Sequence, residues 1–200
     1  GVSAFKRNYL LDLSGALGNR LFPYQMTIEC TDPTRGFKSA AEGMAIMGVD
    51  LAVSSDTRAD YSVITILDKQ GDYVYLIYGE RMKGIPIGAQ IERIARLAED
   101  YKCAKIYVDQ STFGVSVIDG LKAKMLPVIG VSWQAQKRNE LLMNLRSLVE
   151  TKKLVLPVDT RDIRANDFTQ LLLKEMEAFV EVQKTLHIGD DVIRSGTRTF

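Results

Sequence analysis

The chain has little of what builds a disulfide framework or a structural zinc site. Two cysteines occur in its 200 residues, and neither Cys30 nor Cys103 stands in a Cys-x-x-Cys or Cys/His ligand spacing. No apolar stretch approaches the roughly 20 residues that span a bilayer, and the first residues do not form a signal peptide. We therefore expect a soluble, intracellular protein from a reducing compartment that does not associate with membranes.

An excess of charge of one sign is also missing. The 26 Lys and Arg residues nearly balance the 25 Asp and Glu residues, so the formal net charge is +1. Global charge therefore does not indicate a nucleic-acid binder, and any site for a polyanion must be a local patch. The apolar content of 46% over 200 residues allows one sizeable core, which favours one main domain with an appendage.

Glycines and prolines interrupt residues 1–43, and this composition predicts a linker or an extended arm. The main domain is predicted to span 44–200. Its first half is expected to contain three β-rich runs, with a turn over 68–72, and then a helix, a strand, a helix and a further parallel strand. These predicted elements are Met44–Val53, Tyr61–Leu67, Tyr73–Tyr78, Ile87–Tyr101, Lys105–Asp109, Gly114–Lys124 and Leu126–Trp133.

The second half is predicted to contain an amphipathic helix at Ala135–Thr151, a short strand at Leu154–Val158 and a partly helical Ala165–Phe179. Residues 180–186 fit either a strand or a helix. The order strand-strand-strand-helix-strand-helix-strand is typical of the α/β ribonuclease H-like fold, a mixed sheet flanked by helices. The first and fourth strands lie side by side in that fold.

Acidic residues close two of the predicted strands. Asp50 closes the apolar run of residues 44–49 in the first, Asp109 ends the fourth, and Asp190 and Asp191 follow the only histidine, His187. Burying an isolated carboxylate costs several kcal/mol unless a cation or hydrogen bonds compensate it, so acids at the ends of buried strands suggest a divalent-metal site. Each Asp taken alone could equally be a turn former or a helix cap.

Four segments resemble motifs of one family, the nuclease domain of the large terminase subunit of tailed double-stranded DNA phages, which cuts concatemeric viral DNA during packaging. Residues 48–52 (GVDLA) followed by 59–62 (ADYS) resemble its first-strand motif, with a metal-binding Asp. Residues 108–115 (VDQSTFGV) resemble its second acidic motif. The stretch that begins at Lys137 and Arg138 resembles the region after the fifth strand, and residues 187–191 (HIGDD) resemble the closing motif.

The resemblance implies a two-metal endonuclease that uses Mg²⁺ or Mn²⁺. Its metal ligands would be Asp50, Asp109 and one of Asp190 and Asp191, with His187 near the substrate or leaving group, and Lys137 and Arg138 would contact DNA phosphates. The implied partners are double-stranded DNA, an ATPase motor domain, a small terminase subunit and a portal, in the host cytoplasm.

Two departures from the family pattern qualify this resemblance. The sequence has no GxxxxGK[ST] phosphate loop, so we interpret the chain as a nuclease-domain fragment whose residues 1–43 adjoined an ATPase motor. The family commonly continues the closing motif into an Ala- and Leu-rich helix, whereas residues 192–200 contain Gly196. This departure leaves open which of Asp190 and Asp191 faces the metal.

Three alternatives remain open from the sequence. A junction resolvase or another ribonuclease H-like nuclease would need similar acids. An actin-like nucleotide-binding ATPase also has an opening similar to GVDLA, although a Gly normally stands at the position of Ala52. A non-catalytic DNA-docking module would not need the complete set of acids.

Overall fold

A computed structural model describes residues 20–52, 61–110, 114–132, 134–179, 181–188 and 191–199, the last two ranges as backbone only. The chain divides into two compact units. The sheet unit is Cys30–Thr169, and the hairpin unit combines Gly1–Glu29 with Gln170–Phe200. None of the helices in the described ranges is long and apolar enough to cross a membrane.

The described helices and strands follow the predicted order closely. In chain order they are α1 (Tyr24–Ile28), β1 (Thr31–Asp32), β2 (Met44–Asp50), β3 (Ser62–Gln70), β4 (Tyr73–Met82), α2 (Ile87–Asp100), β5 (Lys105–Asp109), α3 (Gly114–Ala123), β6 (Val128–Val131), α4 (Ala135–Glu150), β7 (Leu154–Pro157), α5 (Ile163–Ala178), β8 (Glu181–Ile188) and β9 (Asp191–Thr199).

The sheet unit is built on a seven-stranded sheet with the order β1-β7-β4-β3-β2-β5-β6. Strands β2, β3 and β4 form an antiparallel meander, whereas β5 pairs in parallel with β2 on one side and with β6 on the other. The predicted mixed sheet flanked by helices is therefore confirmed. The predicted adjacency of the first and fourth strands is confirmed as well, as the pair β2 and β5.

The core of this unit follows from the alternation of side chains along the strands. Alternate residues of β2 and β5 are buried, among them Met47 and Ile106, and they belong to the same cluster as the apolar side chains of α2 and α3. Helix α2 contributes Ile94, Ala95, Leu97 and Ala98, as its spacing predicts. Full burial of one such aliphatic side chain contributes about 1.5–3 kcal/mol.

The turn predicted over 68–72 is wrong in its extent. Strand β3 continues to Gln70, which pairs with Tyr73, so only Gly71 and Asp72 form the turn, with Gly71 at φ +58°. Asp68 is fully buried, and its carboxylate accepts hydrogen bonds from the amides of Glu42 and Gly43. Burial alone would raise the pKa of Asp68, but these bonds and one from Gln70 Nε2 lower it overall.

Part of the predicted N-terminal arm contributes to the sheet unit. Thr31 and Asp32 form β1, which pairs in parallel with β7. Residues 1–19 lie outside the described part of the chain. The proposed origin of residues 1–43, as the junction to an ATPase motor, remains a prediction.

The hairpin unit contains α1, the last nine residues of α5 and the antiparallel pair β8–β9. Near α1, Arg20 forms an ion pair with Glu177, and Phe22 packs against Phe179 with ring centroids 6.2 Å apart. The segment 180–186, which fits either a strand or a helix by sequence, lies in strand β8 from Glu181 onward. The residues after the closing motif form strand β9 rather than the helix common in the family.

Candidate metal centre

Asp50 and Asp109 end neighbouring parallel strands at the same level of the sheet. The register pairs Val49 with Val108, and the two acids are the next residue on each strand. Adjacent strands lie about 4.8 Å apart, so the two backbones are close at this point. Val49 and Val108 are both buried, and the alternation of side chains therefore places the two carboxylates together on the opposite face of the sheet.

The expectation that burial would penalise these carboxylates is wrong for Asp50. Its side chain is exposed at the end of β2, and Asp109 is half-buried. The desolvation cost that suggested a compensating cation therefore does not apply to Asp50. The evidence for a site is instead the placement of two carboxylates at neighbouring strand ends and on one face of the sheet.

The backbone after Asp50 is fixed by two polar side chains that sequence reasoning missed. The buried Ser62 hydroxyl accepts a hydrogen bond from the Ala52 amide at 2.9 Å, and it also lies 3.2 Å from the Ala52 carbonyl oxygen, to which it can donate. Gln90 Nε2 donates to the carbonyl oxygen of Ile85 at 2.7 Å and to that of Ala52 at 3.5 Å. The sequence signal for this contact was Gln90 itself, a glutamine on the buried face of a helix. Buried polar groups are nearly always hydrogen-bonded, so such a glutamine indicates a partner nearby.

Gly114, at the start of α3, is fitted closely against Asp109. A Cβ atom at position 114 would lie 1.8 Å from the Asp109 carbonyl oxygen, so no other residue fits without a backbone shift. The amide of Gln110 donates to the Val131 carbonyl oxygen at 2.8 Å, which extends the pairing of β5 and β6 just past the acid. These contacts hold the Asp109 backbone in place on both sides.

The remaining predicted ligands belong to the hairpin unit or lie outside the described residues. Asp191 is the first residue of β9 and pairs with Ile188, and His187 pairs with Val192. Asp190 lies outside the described residues. Among the side chains that the structure describes, no group of three or more His, Cys, Asp and Glu could hold a metal ion. The pair Asp50 and Asp109 is thus the part of the predicted site that the structure brings together.

The predicted DNA-contacting pair lies in the first turn of α4. Lys137 is exposed, and its Nζ lies 3.0 Å from Glu140 Oε2, one turn along the helix. Arg138 is half-buried. Strand β6 ends at Val131, which pairs with Asp109, and the chain then leads into α4, so these cations follow soon after the strand next to Asp109.

Residues 47–194 match the family model described as the terminase RNaseH-like domain. The chain belongs to this family. The match includes the end of β2 and all of β5, with both acids, and it extends into β9. Membership supports the terminase resemblance over the actin-like alternative. No curated protein matches the chain.

Solved structures of large terminases share the fold. The large terminase nuclease of the thermophilic phage G20c with bound magnesium has a TM-score of 0.64 and 21% identity, and the match covers 91% of this chain and 88% of that one. The nuclease domain of Thermus phage P74-26 gives a TM-score of 0.60 and 22% identity over 83% and 80% of the two chains.

A longer protein also matches. The large terminase of a further thermophilic bacteriophage has a TM-score of 0.60 and 15% identity, with coverage of 82% of this chain but 38% of that one. The G20c nuclease has further been solved with bound cobalt and with bound zinc. At these identities the structures establish that the fold is shared.

Proposed function

We propose that this domain is a metal-dependent endonuclease that cuts concatemeric double-stranded viral DNA during genome packaging. The observation that carries the proposal is the placement of Asp50 and Asp109 on adjacent strand ends and one face of the sheet, within a family of terminase RNaseH-like domains. The bound magnesium of the G20c nuclease supports a divalent cation in this fold. The packaging partners, namely an ATPase motor, a small subunit and a portal, are part of the same proposal.

The residues present fit a site for two Mg²⁺ or Mn²⁺ ions. Carboxylate oxygens are the ligands that these hard cations prefer, and neither a thiol nor a described histidine side chain competes at this edge of the sheet. Two such ions about 3.5–4 Å apart would activate water and stabilise the leaving oxygen of a phosphodiester. Asp50 would be the shared ligand and Asp109 the second, with one of Asp190 and Asp191 completing the set.

The protein supplies position as well as charge. Ser62 and Gln90 hold the chain after Asp50, and Gly114 allows α3 to begin against the Asp109 backbone. With both carboxylate-bearing strand ends fixed in this way, little reorganisation is needed when the cations and a phosphate bind, which is the condition for electrostatic catalysis. His187 would contact the substrate or leaving group, and Lys137 and Arg138 would contact the phosphate backbone.

Metal dependence is the first expected result. The protein should nick and then linearise supercoiled plasmid with Mg²⁺ or Mn²⁺, and chelation should stop the reaction, because the carboxylates alone cannot neutralise a phosphate. Gel separation of plasmid forms measures this. Cleavage that continues in excess chelator would contradict a metal-dependent mechanism.

The same assay separates the alternative functions. Strong preference for branched over plain duplex DNA would favour a junction resolvase, and DNA binding without cleavage would favour a docking module.

The Lys137→Ala/Arg138→Ala double variant should bind duplex DNA more weakly at low salt and lose less affinity as salt rises. Each phosphate contact steepens the dependence of log K on log salt by about 0.9, so two lost contacts should flatten the slope by about 1.8. Fluorescence anisotropy with a labelled duplex at several salt concentrations measures this. Lys174→Ala, which removes an exposed cation from the hairpin unit, is the charge control. An unchanged slope would mean that Lys137 only stabilises the start of α4 through Glu140.

A further inference from the structure

A row of directly opposed residues crosses the sheet from the acids to β4. Asp50 on β2 faces Val63 on β3, and Val63 faces Arg81 on β4. Opposed residues of antiparallel strands project from the same face of a sheet. Arg81 therefore lies on the face that carries Asp50 and Asp109, two strands and about 10 Å from Asp50 and one strand further from Asp109.

Arg81 is held there by an aromatic ring. Its Cζ lies 4.1 Å from the centroid of the Tyr61 ring, and the Nζ of Lys83 lies 5.1 Å from the same centroid. Tyr61 is 43% exposed, Lys83 is exposed and Arg81 is half-buried, so the ring lies beside one partly buried and one exposed cation. The negative face of the ring attracts a cation, and the attraction is stronger where the cation is desolvated.

Two cations over one ring concentrate positive charge at this point of the sheet, where an anion would be attracted. The other face of β4 shows a different arrangement, in which Arg93 of α2 is paired with Glu80 at 2.9 Å and donates to the Tyr78 hydroxyl at 2.7 Å. That cation lies on the opposite face from the acids. Arg81 and Lys83 bring two cations to one aromatic ring on the face that carries the two acids.

The order of the strands shows where Arg81 lies relative to the acids and to the other predicted DNA-contacting residues. Along the sheet, Arg81 on β4 lies to one side of Asp50 and Asp109, and β6, which leads into Lys137 and Arg138 on α4, lies to the other. A polyanion that crosses the carboxyl ends of β2 and β5 would thus meet cations on both sides of the acids. A DNA strand, with phosphates at regular intervals, has the chemistry to bridge them.

We propose that Arg81 and Lys83, stacked on Tyr61, form a phosphate-binding site that holds the DNA backbone next to the phosphodiester over Asp50 and Asp109. The site rests on the proposed nuclease function and adds a contact outside the acidic set. A guanidinium forms paired hydrogen bonds to phosphate oxygens, which fix orientation better than a lysine ammonium does. Arg81 would act by positioning the strand without reading its sequence.

The test is binding of a fluorescein-labelled duplex of about 30 base pairs in chelator, measured by anisotropy over a range of salt. Arg81→Gln/Lys83→Gln should weaken binding about tenfold at low salt and flatten the log–log salt slope by about 1.8. Arg81→Lys should keep the slope but bind more weakly than wild type. Arg96→Gln, which removes an exposed arginine from α2 on the opposite face, should leave the affinity unchanged.

Substitutions of Tyr61 provide a second series of variants, with smaller expected effects on DNA binding. Tyr61→Phe keeps the stacking surface and should bind like wild type, whereas Tyr61→Leu should weaken binding several-fold. Lys83 is exposed, so Lys83→Gln remains informative even if a change at the half-buried Arg81 unfolds the protein. In cleavage assays with Mn²⁺, the same variants should raise KM more than they lower kcat.

The outcomes separate this site from the proposed function. If wild-type protein cleaves DNA and the folded Arg81→Gln/Lys83→Gln variant binds with unchanged affinity and salt slope, the phosphate site is wrong and the nuclease assignment stands. If wild type binds through Arg81 and Lys83 yet never cleaves with Mg²⁺ or Mn²⁺, the phosphate site stands and the nuclease assignment falls. An equal loss in Arg96→Gln would also overturn the site, because only net charge would matter.

Discussion

Replacement of Asp50 or of Asp109 by Asn should abolish Mg²⁺- and Mn²⁺-dependent plasmid cleavage. Asn keeps the volume of Asp but loses the ligand charge, and metal ions at such sites contribute several kcal/mol to stabilising the transition state. A loss of about 3 kcal/mol corresponds to at least about 10²-fold in rate. Initial rates of nicking measure the effect, and we expect the two variants to be affected alike, because the acids lie at the same level of adjacent strands.

The control for these variants is their stability without metal. Removing one of two neighbouring carboxylates relieves repulsion, so neither variant should unfold at a lower temperature than wild type in chelator. Thermal unfolding followed by circular dichroism provides the comparison. Undiminished cleavage by folded Asp50→Asn would contradict the site, and a marked fall in melting temperature would assign a structural role to the residue.

The Asp190→Asn/Asp191→Asn double variant should also lose at least about 10²-fold in cleavage rate, because two carboxylates from the sheet unit are too few to hold two cations. His187→Ala should lose much less, about tenfold or below, since a proton or water positioned by one histidine is partly replaceable. Single-turnover rates at saturating Mn²⁺ measure both. The single changes Asp190→Asn and Asp191→Asn then identify the ligand.

A different order of cleavage losses among these variants would change the roles assigned to His187, Asp190 and Asp191. If His187→Ala were as damaging as Asp50→Asn, His187 would have to contact a metal or the reacting phosphate directly. If the Asp190→Asn/Asp191→Asn variant cleaved normally, the third ligand would have to be sought elsewhere, for instance at Asp60.

The pair of acids could be predicted from sequence because local patterns determine it. Short apolar runs ending in Asp50 and Asp109, with a meander and a helix between them, specify two adjacent parallel strands once the fold is known. The residues that support the pair could not be predicted in the same way. Ser62 and Gln90 reach Ala52 from another strand and from a helix, and such contacts depend on side-chain directions that periodicity does not give.

The role proposed for Arg81 illustrates the same limit. Its place beside the acids depends on the register of three strands, Asp50 to Val63 to Arg81, and a shift by one residue would put it on the other face. The extent of the turn after β3 is mispredicted for a related reason, since Asp68 is of a residue type common in turns. Asp68 instead stays within the strand, where it is buried and accepts hydrogen bonds from the amides of Glu42 and Gly43. These two residues are 26 and 25 positions away in the sequence, so a local pattern cannot reveal the contact.

The most direct test of the metal centre is to locate bound cations. Crystals of the wild-type protein soaked in Mn²⁺ should give an anomalous difference peak at the manganese edge within coordination distance of the Asp50 and Asp109 carboxylates, and the peak should be absent from Asp50→Asn crystals soaked in the same way. An active protein whose manganese peaks lie away from both carboxylates would contradict the assignment of this edge of the sheet as the metal centre.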